Sequence, residues 1–332
     1  MTTSGTFTFT VTRDDLVREA MLNIGKLDAY GQIDPVENTD ICRKLNMMVK
    51  QWMGRYDFAP GLKVWTRQRG ELFLSSTTGQ YDLGPTSNRW AGGVSSSMAI
   101  KGQPFLSNLL TQVTPASTST LNVGSANVAD YTLGDYLCIQ LDTGDTFCTN
   151  VASIGASSVT TVTPLPSQAS GGNVVYNWST PAQRPLEIVT ILLRDSNNND
   201  TPLNVMTIQE YEALPTKVAT NYTADPTSIY YEAQLGNGQL YTDCAGAQDV
   251  TKHIHVVYLQ PIMDFNNPLD TPEYPAEWFS ALAWGLSKQI CPMFNAPWTA
   301  LMENNYQEAI AYAKEANPDT TAVYFLPNAD LP

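Results

Sequence analysis

The chain has 332 residues, enough for one large core or two modest ones. It carries 18 Lys and Arg against 32 Asp and Glu, a net charge of −14. That balance excludes gripping nucleic acid through phosphate neutralisation, and it disfavours anionic membrane surfaces, because both need cations that are lacking here.

No apolar run approaches the roughly 18 residues of a membrane helix. Met1 to Phe7 has neither the basic nor the apolar part of a signal peptide, so a reducing cytoplasm is the expected compartment. Cys42, Cys138, Cys148, Cys244 and Cys291 are odd in number and form no CxxC, so they read as free thiols. Cys138 and Cys148 nevertheless face each other across a predicted hairpin.

Thr12 followed by Arg13-Asp14-Asp15 predicts a helix N-terminus, with Val17, Met21 and Ile24 on one face and Gly25 as the stop. Asp34-Pro35-Val36-Glu37 opens a second helix. Its face is Ile41, Leu45, Met48 and Trp52, and Gly54 ends it. From Leu62 to Leu83 the period falls to two, and the turn Ser75 to Gly79 predicts a hairpin between Leu72–Leu74 and Gln80–Leu83.

Between Ser95 and Ser179 the chain is rich in Ser, Thr, Val, Gly and Asn, and Lys101 is its only basic residue. Strands are predicted at Thr120–Val123, Tyr136–Leu141, Thr146–Val151, Ser158–Val162 and Asn173–Tyr176. Such short, evenly spaced strands describe a small β-barrel or sandwich, read here as an insertion. Beyond it come a strand over Glu187–Leu193, a capping box at Thr207-Ile-Gln-Glu210, and a hairpin turning at Asn237-Gly238. An alternating strand, His253 to Leu259, precedes a Pro275-led helix whose stripe is Phe279, Leu282, Ala283, Leu286 and Ile290. A last helix over Pro297–Ala316 carries Trp298, Met302, Tyr306, Ala309 and Ala313 on one face, and Asn317-Pro318 ends it.

The chemistry-bearing residues read as structural. His253 and His255 share a strand face, but they are the only histidines, and a metal site needs two more ligands. Asp195 to Asp200 begins like a calcium loop, then places Asp200 where Gly is required and Met206 where the bidentate Glu belongs. The pairs Asp14/Asp15, Asp142/Asp145 and Glu273/Glu277 fall at caps and turns. No catalytic residue, metal ligand or cofactor site is therefore expected.

Taken in order, these elements resemble a known family. The segments that carry the likeness are Arg13 to Gly25, Arg184-Pro185-Leu186 and Pro202 to Lys217, then Tyr230-Tyr231, Gln239-Leu240-Tyr241 and Tyr274-Pro-Ala-Glu-Trp278 to Leu286. Together they are similar to the head-to-tail adaptor (connector, or tail tubular type) proteins of short-tailed bacteriophages. The match runs over about residues 10–85 and 181–316. Gly134 to Gly144 resembles a β module inserted in larger members.

The resemblance implies an α+β fold, with a four-helix body of two N-terminal and two C-terminal helices, antiparallel β-hairpins, and an inserted small β-barrel or sandwich. The expected domains are 1–94 with 180–316 for the body, 95–179 for the module, and 317–332 for an extended arm. It further implies a homo-oligomeric ring of twelve at the head–tail junction of the virion, contacting the portal protein and a tail hub or nozzle protein. Tail fibres would dock on the β insertion, and no enzymatic activity is implied. Twelve copies would carry about −168, which lets DNA slide through without specific binding.

A ring of one chain needs a heterologous interface. Helix faces left over after core packing are the expected contacts: Trp278, Ala281, Trp284 and Gly285, with Ala311 and Tyr312. Val323, Tyr324, Phe325 and Leu326 are expected to form the portal-docking arm. Two other readings stand beside this one: a carbohydrate-binding or fibre-docking protein using the aromatic residues of the insertion, and a cell-wall hydrolase using a carboxylate pair.

Overall fold

The computed structural model describes residues 9–28, 30–54, 66–92, 104–215 and 222–315. Helices α1 (Arg13–Asn23) and α2 (Pro35–Gly54) precede strands β1 (Arg67–Phe73), β2 (Gln80–Leu83) and β3 (Trp90–Gly92). Next come β4 (Leu106–Leu109), β5 (Thr120–Asn122), β6 (Tyr136–Gln140), β7 (Thr146–Ile154), β8 (Ser158–Thr161) and β9 (Val174–Trp178). The chain continues with β10 (Glu187–Arg194), β11 (Asp200–Pro202), β12 (Asn204–Val205) and a short helix, α3 (Ile208–Glu212). Strands β13 (Ser228–Glu232), β14 (Gly238–Thr242) and β15 (His253–Leu259) lead to helices α4 (Phe279–Ile290) and α5 (Ala300–Glu315). The fold is mixed α+β, as expected. It divides into two compact units, Met1–Thr66 with Ile262–Pro332, and Arg67–Pro261.

The first unit is helical. Thr12 Oγ1 accepts from the Asp15 backbone N–H (3.2 Å), and Asp15 Oδ2 accepts in return from the Thr12 N–H (2.9 Å). This capping box holds the Asp15 carboxyl below its ordinary pKa, the Thr12 hydroxyl contributing most. At α2, Asp34 Oδ1 accepts from the Val36 N–H (2.8 Å), with Pro35 at the first helical position. The predicted stripes Val17, Met21 and Ile24, and Ile41, Leu45, Met48 and Trp52, all lie in one core with Leu282, Ala283, Leu286 and Ile290 of α4. Helix α4 packs against α1, α2 and α5 at once.

The last helix begins at Ala300 instead of Pro297. Ahead of it, the Trp298 Nε1–H donates to Glu303 (2.7 Å), which also accepts from Lys288 Nζ (2.7 Å) and Gln307 Nε2 (2.8 Å). Lys288 thereby ties α4 to α5, and these donors hold the Glu303 pKa down to about 2.

The second unit is built from sheets. Strands β11-β10-β15-β1-β3 form a five-stranded sheet and β12-β13-β14-β2 a four-stranded one. Their facing sides share a core of Leu72, Trp90, Ile191, Ile254, Val256 and Tyr258 with Tyr81, Leu83, Ile229 and Leu240.

The expected β1–β2 hairpin is corrected here. Both edges of β1 are occupied, by β15 and β3, so the turn after Leu74 passes the chain into the other sheet, where β2 pairs with β14. The β13–β14 hairpin forms as expected, with Tyr230 opposite Tyr241. Its left-handed residue is Gly236 (φ +86°), and Asn237 instead donates through Nδ2 to the Thr86 hydroxyl (2.6 Å).

The segment beyond β3 forms a six-stranded antiparallel sheet in the order β4-β9-β6-β7-β8-β5. Just past β4, the Thr111 N–H donates to the Asn122 carbonyl of β5 (2.8 Å), so the sheet curls until its two ends touch. Leu121, Leu137, Ile139, Val159 and Val175 fill the space it encloses. The predicted strands all form, and β4 joins them.

The free-thiol expectation is corrected at one pair. Cys138 and Cys148 are direct partners in the β6–β7 register, with Cα atoms 4.1 Å apart, and are joined as a disulfide. Cys42, Cys244 and Cys291 are free and buried, and burial raises their pKa values.

Candidate functional site

Register dictates which residues meet on the second face of the five-stranded sheet. Residues Arg67, Arg69, Glu71 and Phe73 share one side of β1 by strict alternation. Glu71 lies opposite His255 and Phe73 opposite His253; across β15, Leu192 lies opposite His255 and Arg194 opposite His253. Asp200 lies opposite Arg194 on β11. The two histidines therefore do share a face, and sheet pairing adds to it a carboxylate, a guanidinium and a second carboxylate.

Glu71 is fully buried, and its Oε1 lies 2.5 Å from His255 Nδ1 and 3.4 Å from Arg194 Nη1. A carboxylate only accepts, so beside this guanidinium His255 carries its proton on Nδ1 and donates it. Arg194 forks onto Asp200 through Nε to Oδ1 (2.7 Å) and Nη2 to Oδ2 (2.9 Å). That fork raises the Arg194 pKa and lowers that of Asp200.

His253 is treated differently. Its Nε2 is 3.5 Å from Glu71 Oε2, and among the described residues neither ring nitrogen has a hydrogen-bond partner. Burial lowers its pKa, against the opposing pull of Glu71, and holds it neutral among Phe73, Phe105 and Tyr176.

These rings belong to a seam where the curled sheet meets the five-stranded one. Phe73 stacks on Tyr176 (4.6 Å between centroids) and Trp178 (5.0 Å) and meets Phe105 edge-on (5.2 Å). The Cys138–Cys148 disulfide and Ala91 complete this cluster. Nearby, Asp145 of the β6–β7 turn accepts from the Ser75 hydroxyl (2.8 Å) and the Ser76 N–H (2.9 Å). Arg89 donates to the carbonyls of Thr146 (2.6 Å) and Leu74 (3.3 Å).

The arrangement fastens one sheet to another. It also sets a direction for acid sensitivity. Unfolded, His253 takes up a proton near pH 6.5, roughly the free value, whereas the folded chain resists protonation to lower pH. Over that window the unfolded state binds more protons, so stability falls as pH drops. The depressed Asp200 adds loss of the same sign at lower pH, as acid titrates its fork. A Tm series from about pH 7 to about pH 5 should decline, and His253→Phe, which keeps a ring in the aromatic nest, should flatten that decline. An equal slope in wild type and variant would exclude His253 as the cause.

Of the residues expected to face a neighbouring subunit, three are corrected. Trp278 is 2% exposed, Ala281 0%, and Gly285 is likewise buried in the helical core. The physical reason is that α4 is packed on three sides, so more than one stripe is covered. A Cβ on Gly285 would lie 2.7 Å from the Trp52 ring and 2.9 Å from Met48 Sδ, so this glycine admits α2 at close range. Gly285→Ala should cost about 1–3 kcal/mol, measured by urea denaturation; an unchanged midpoint would refute the close packing. Trp284 is half-buried, while Ala311 and Tyr312 (69%) are exposed on α5. The arm residues Val323, Tyr324, Phe325 and Leu326 lie outside the described residues.

The other candidates resolve into local structure. Asp195 Oδ1 accepts from the Asn197 and Asn199 N–H groups (both 2.8 Å), closing the β10–β11 turn. Asp142 accepts from the Ser170 hydroxyl (2.7 Å) and backbone N–H (2.9 Å) and from Asn173, which hold its pKa down to about 2. Glu273 accepts from the Met263 N–H (3.0 Å). Among the described residues no group of three or more His, Cys, Asp or Glu is arranged to hold a metal ion, and no helix is long and apolar enough to cross a membrane. Trp178 (1%) and Phe105 (5%) are buried in that seam and Tyr131 (3%) inside the curled sheet, so these rings form no exposed sugar platform. Reading the sequence missed Glu71 and Arg194; their signal was alternation within a strand, which places them on the histidine face only once the strands are paired.

No family model matches the chain, and no curated protein matches it. Among solved structures, VP17, a capsid protein of bacteriophage P23-77, overlaps 57% of this chain and 78% of its own, at 9% identity and a TM-score of 0.11. An overlap this low carries no argument about fold or role.

Proposed function

We propose that this chain is a structural virion protein that forms a ring adaptor between a capsid portal and a tail hub, without turnover. The observation that carries the reading is the placement of the family-like segments on successive elements. Arg184-Pro185-Leu186 leads into β10, with the Leu186 N–H donating to the Leu259 carbonyl (2.8 Å). The Thr207–Glu210 capping box opens α3, Tyr230 and Tyr241 pair across β13–β14, and β15 is followed by the Pro275-led helix. The acidic balance supports passage of DNA without adhesion.

In this reading Trp284, Ala311 and Tyr312 contribute to the heterologous contact between copies, and residues 319–332 reach the portal. Copy number follows the family analogy at twelve. Electron microscopy of the purified chain, alone and mixed with its portal, tests it. Rings seated on the portal are expected, and a chain that stays monomeric in the presence of the portal sinks the proposal. Removing residues 319–332 should abolish portal docking with the far-UV circular dichroism unchanged; intact docking would exclude the arm.

A further inference from the structure

The four-stranded sheet turns only one face to the core. Tyr81, Leu83, Ile229, Tyr231 and Leu240 point into it. On the opposite face Tyr230, Tyr241 and Gln80 form one cross-strand row, and Glu232, Gln239 and Asp82 the next. Tyr211 of α3 lies against both tyrosines, its ring 5.6 Å from Tyr230 and 5.1 Å from Tyr241, which are 5.8 Å from each other. Gln80 Nε2 donates to Gln239 Oε1 (2.9 Å) and Gln239 donates on to Asp82, so the polar row is held in place beside the rings.

The field at this face is negative. Partial burial, then the neighbouring phenols and the carboxylates of Glu212, Glu232 and Asp82, push the three phenols above their ordinary pKa. Three clustered aromatic rings rimmed by carboxylates suit a cation, which is attracted to the ring quadrupole and to the acids together.

We propose that this tyrosine face is the docking site for a positively charged segment of a partner protein, its Arg or Lys side chains laid against Tyr230 and Tyr241 and paired with Asp82 and Glu232. Charge complementarity selects the occupant. A second copy of this chain, with 32 acidic residues against 18 basic ones, offers this face fewer cations than a basic partner segment does. The proposal does not depend on the adaptor reading.

The test is calorimetric titration of the full chain with a short peptide of alternating Arg and Ala at low ionic strength. Saturable binding is expected, weakened roughly three- to tenfold by Tyr230→Ala and by Asp82→Asn. Glu308→Gln, which removes the same charge from the exposed face of α5, should change it by less than about twofold. Asp82→Asn leaves the rings in place and carries the test if Tyr230→Ala fails to fold. Absence of saturable peptide binding overturns the proposal. Equal losses in Asp82→Asn and Glu308→Gln overturn it too, since attraction would then be diffuse. Tyr230-dependent binding of a neutral oligosaccharide in place of the peptide would reassign the face to glycans.

Discussion

Glu71→Ala is expected to cost about 3 kcal/mol of stability, near the low end of the range for breaking a buried ion pair. The reason lies in what stays behind. His255 loses the acceptor 2.5 Å from its Nδ1, which leaves a buried donor without its partner. Arg194 loses less, because its fork onto Asp200 survives. Glu71→Gln keeps an acceptor for His255 and should cost less than the alanine. Asp200→Ala should also cost less, since the Asp200 side chain is 34% exposed and water can serve the guanidinium. Urea denaturation of the three variants gives the order. A loss under about 1 kcal/mol for Glu71→Ala would mean the network adds no more than a surface pair.

The second large effect is at Phe73. Its ring is 2% exposed and meets Phe105, Tyr176 and Trp178, so with His253 and Ala91 it joins the five-stranded sheet to the curled sheet's aromatic cluster. Phe73→Ala should cost about 3–5 kcal/mol by lost transfer energy and a residual cavity. Loss at this seam should be uneven. The curled sheet keeps its own core around Leu137, Ile139 and Val159, so amide exchange in β6 and β7 should stay slow while β1 and β9 accelerate. Uniform acceleration across residues 104–178 would show that the sheet cannot hold without the seam.

Much of this was legible in the sequence, for reasons particular to each element. The Thr12–Asp15 cap, the α2 stripe and the strands β5 to β9 depend on neighbours in the chain, and local periodicity reports them directly. What alternation reports is a face, never the partner across an edge. That is why Leu72–Leu74 and Gln80–Leu83 read as a hairpin, although β15 and β3 already occupy both sides of β1. Glu71 and Arg194 escaped notice for a related reason: a charged residue alternating with apolar ones looks like a solvated face until a second layer covers it. The burial of Trp278, Ala281 and Gly285 needed the number of helices around α4, which no single helical stripe encodes.

The chain segments that bracket the curled sheet meet each other. Ala91 bridges to Pro181, and the Ala182 N–H donates to the Trp90 carbonyl (3.3 Å), so the chain leaves and re-enters the host sheet at one point. An insertion whose two ends coincide is topologically a cassette. Its length and content can change without altering strand order or register in the host. The constraint on replacement is chemical: any substitute must still cover Phe73 and His253, or those positions must become polar along with it. Diversity in whatever the inserted sheet presents outward is thereby separated from the fold that carries it.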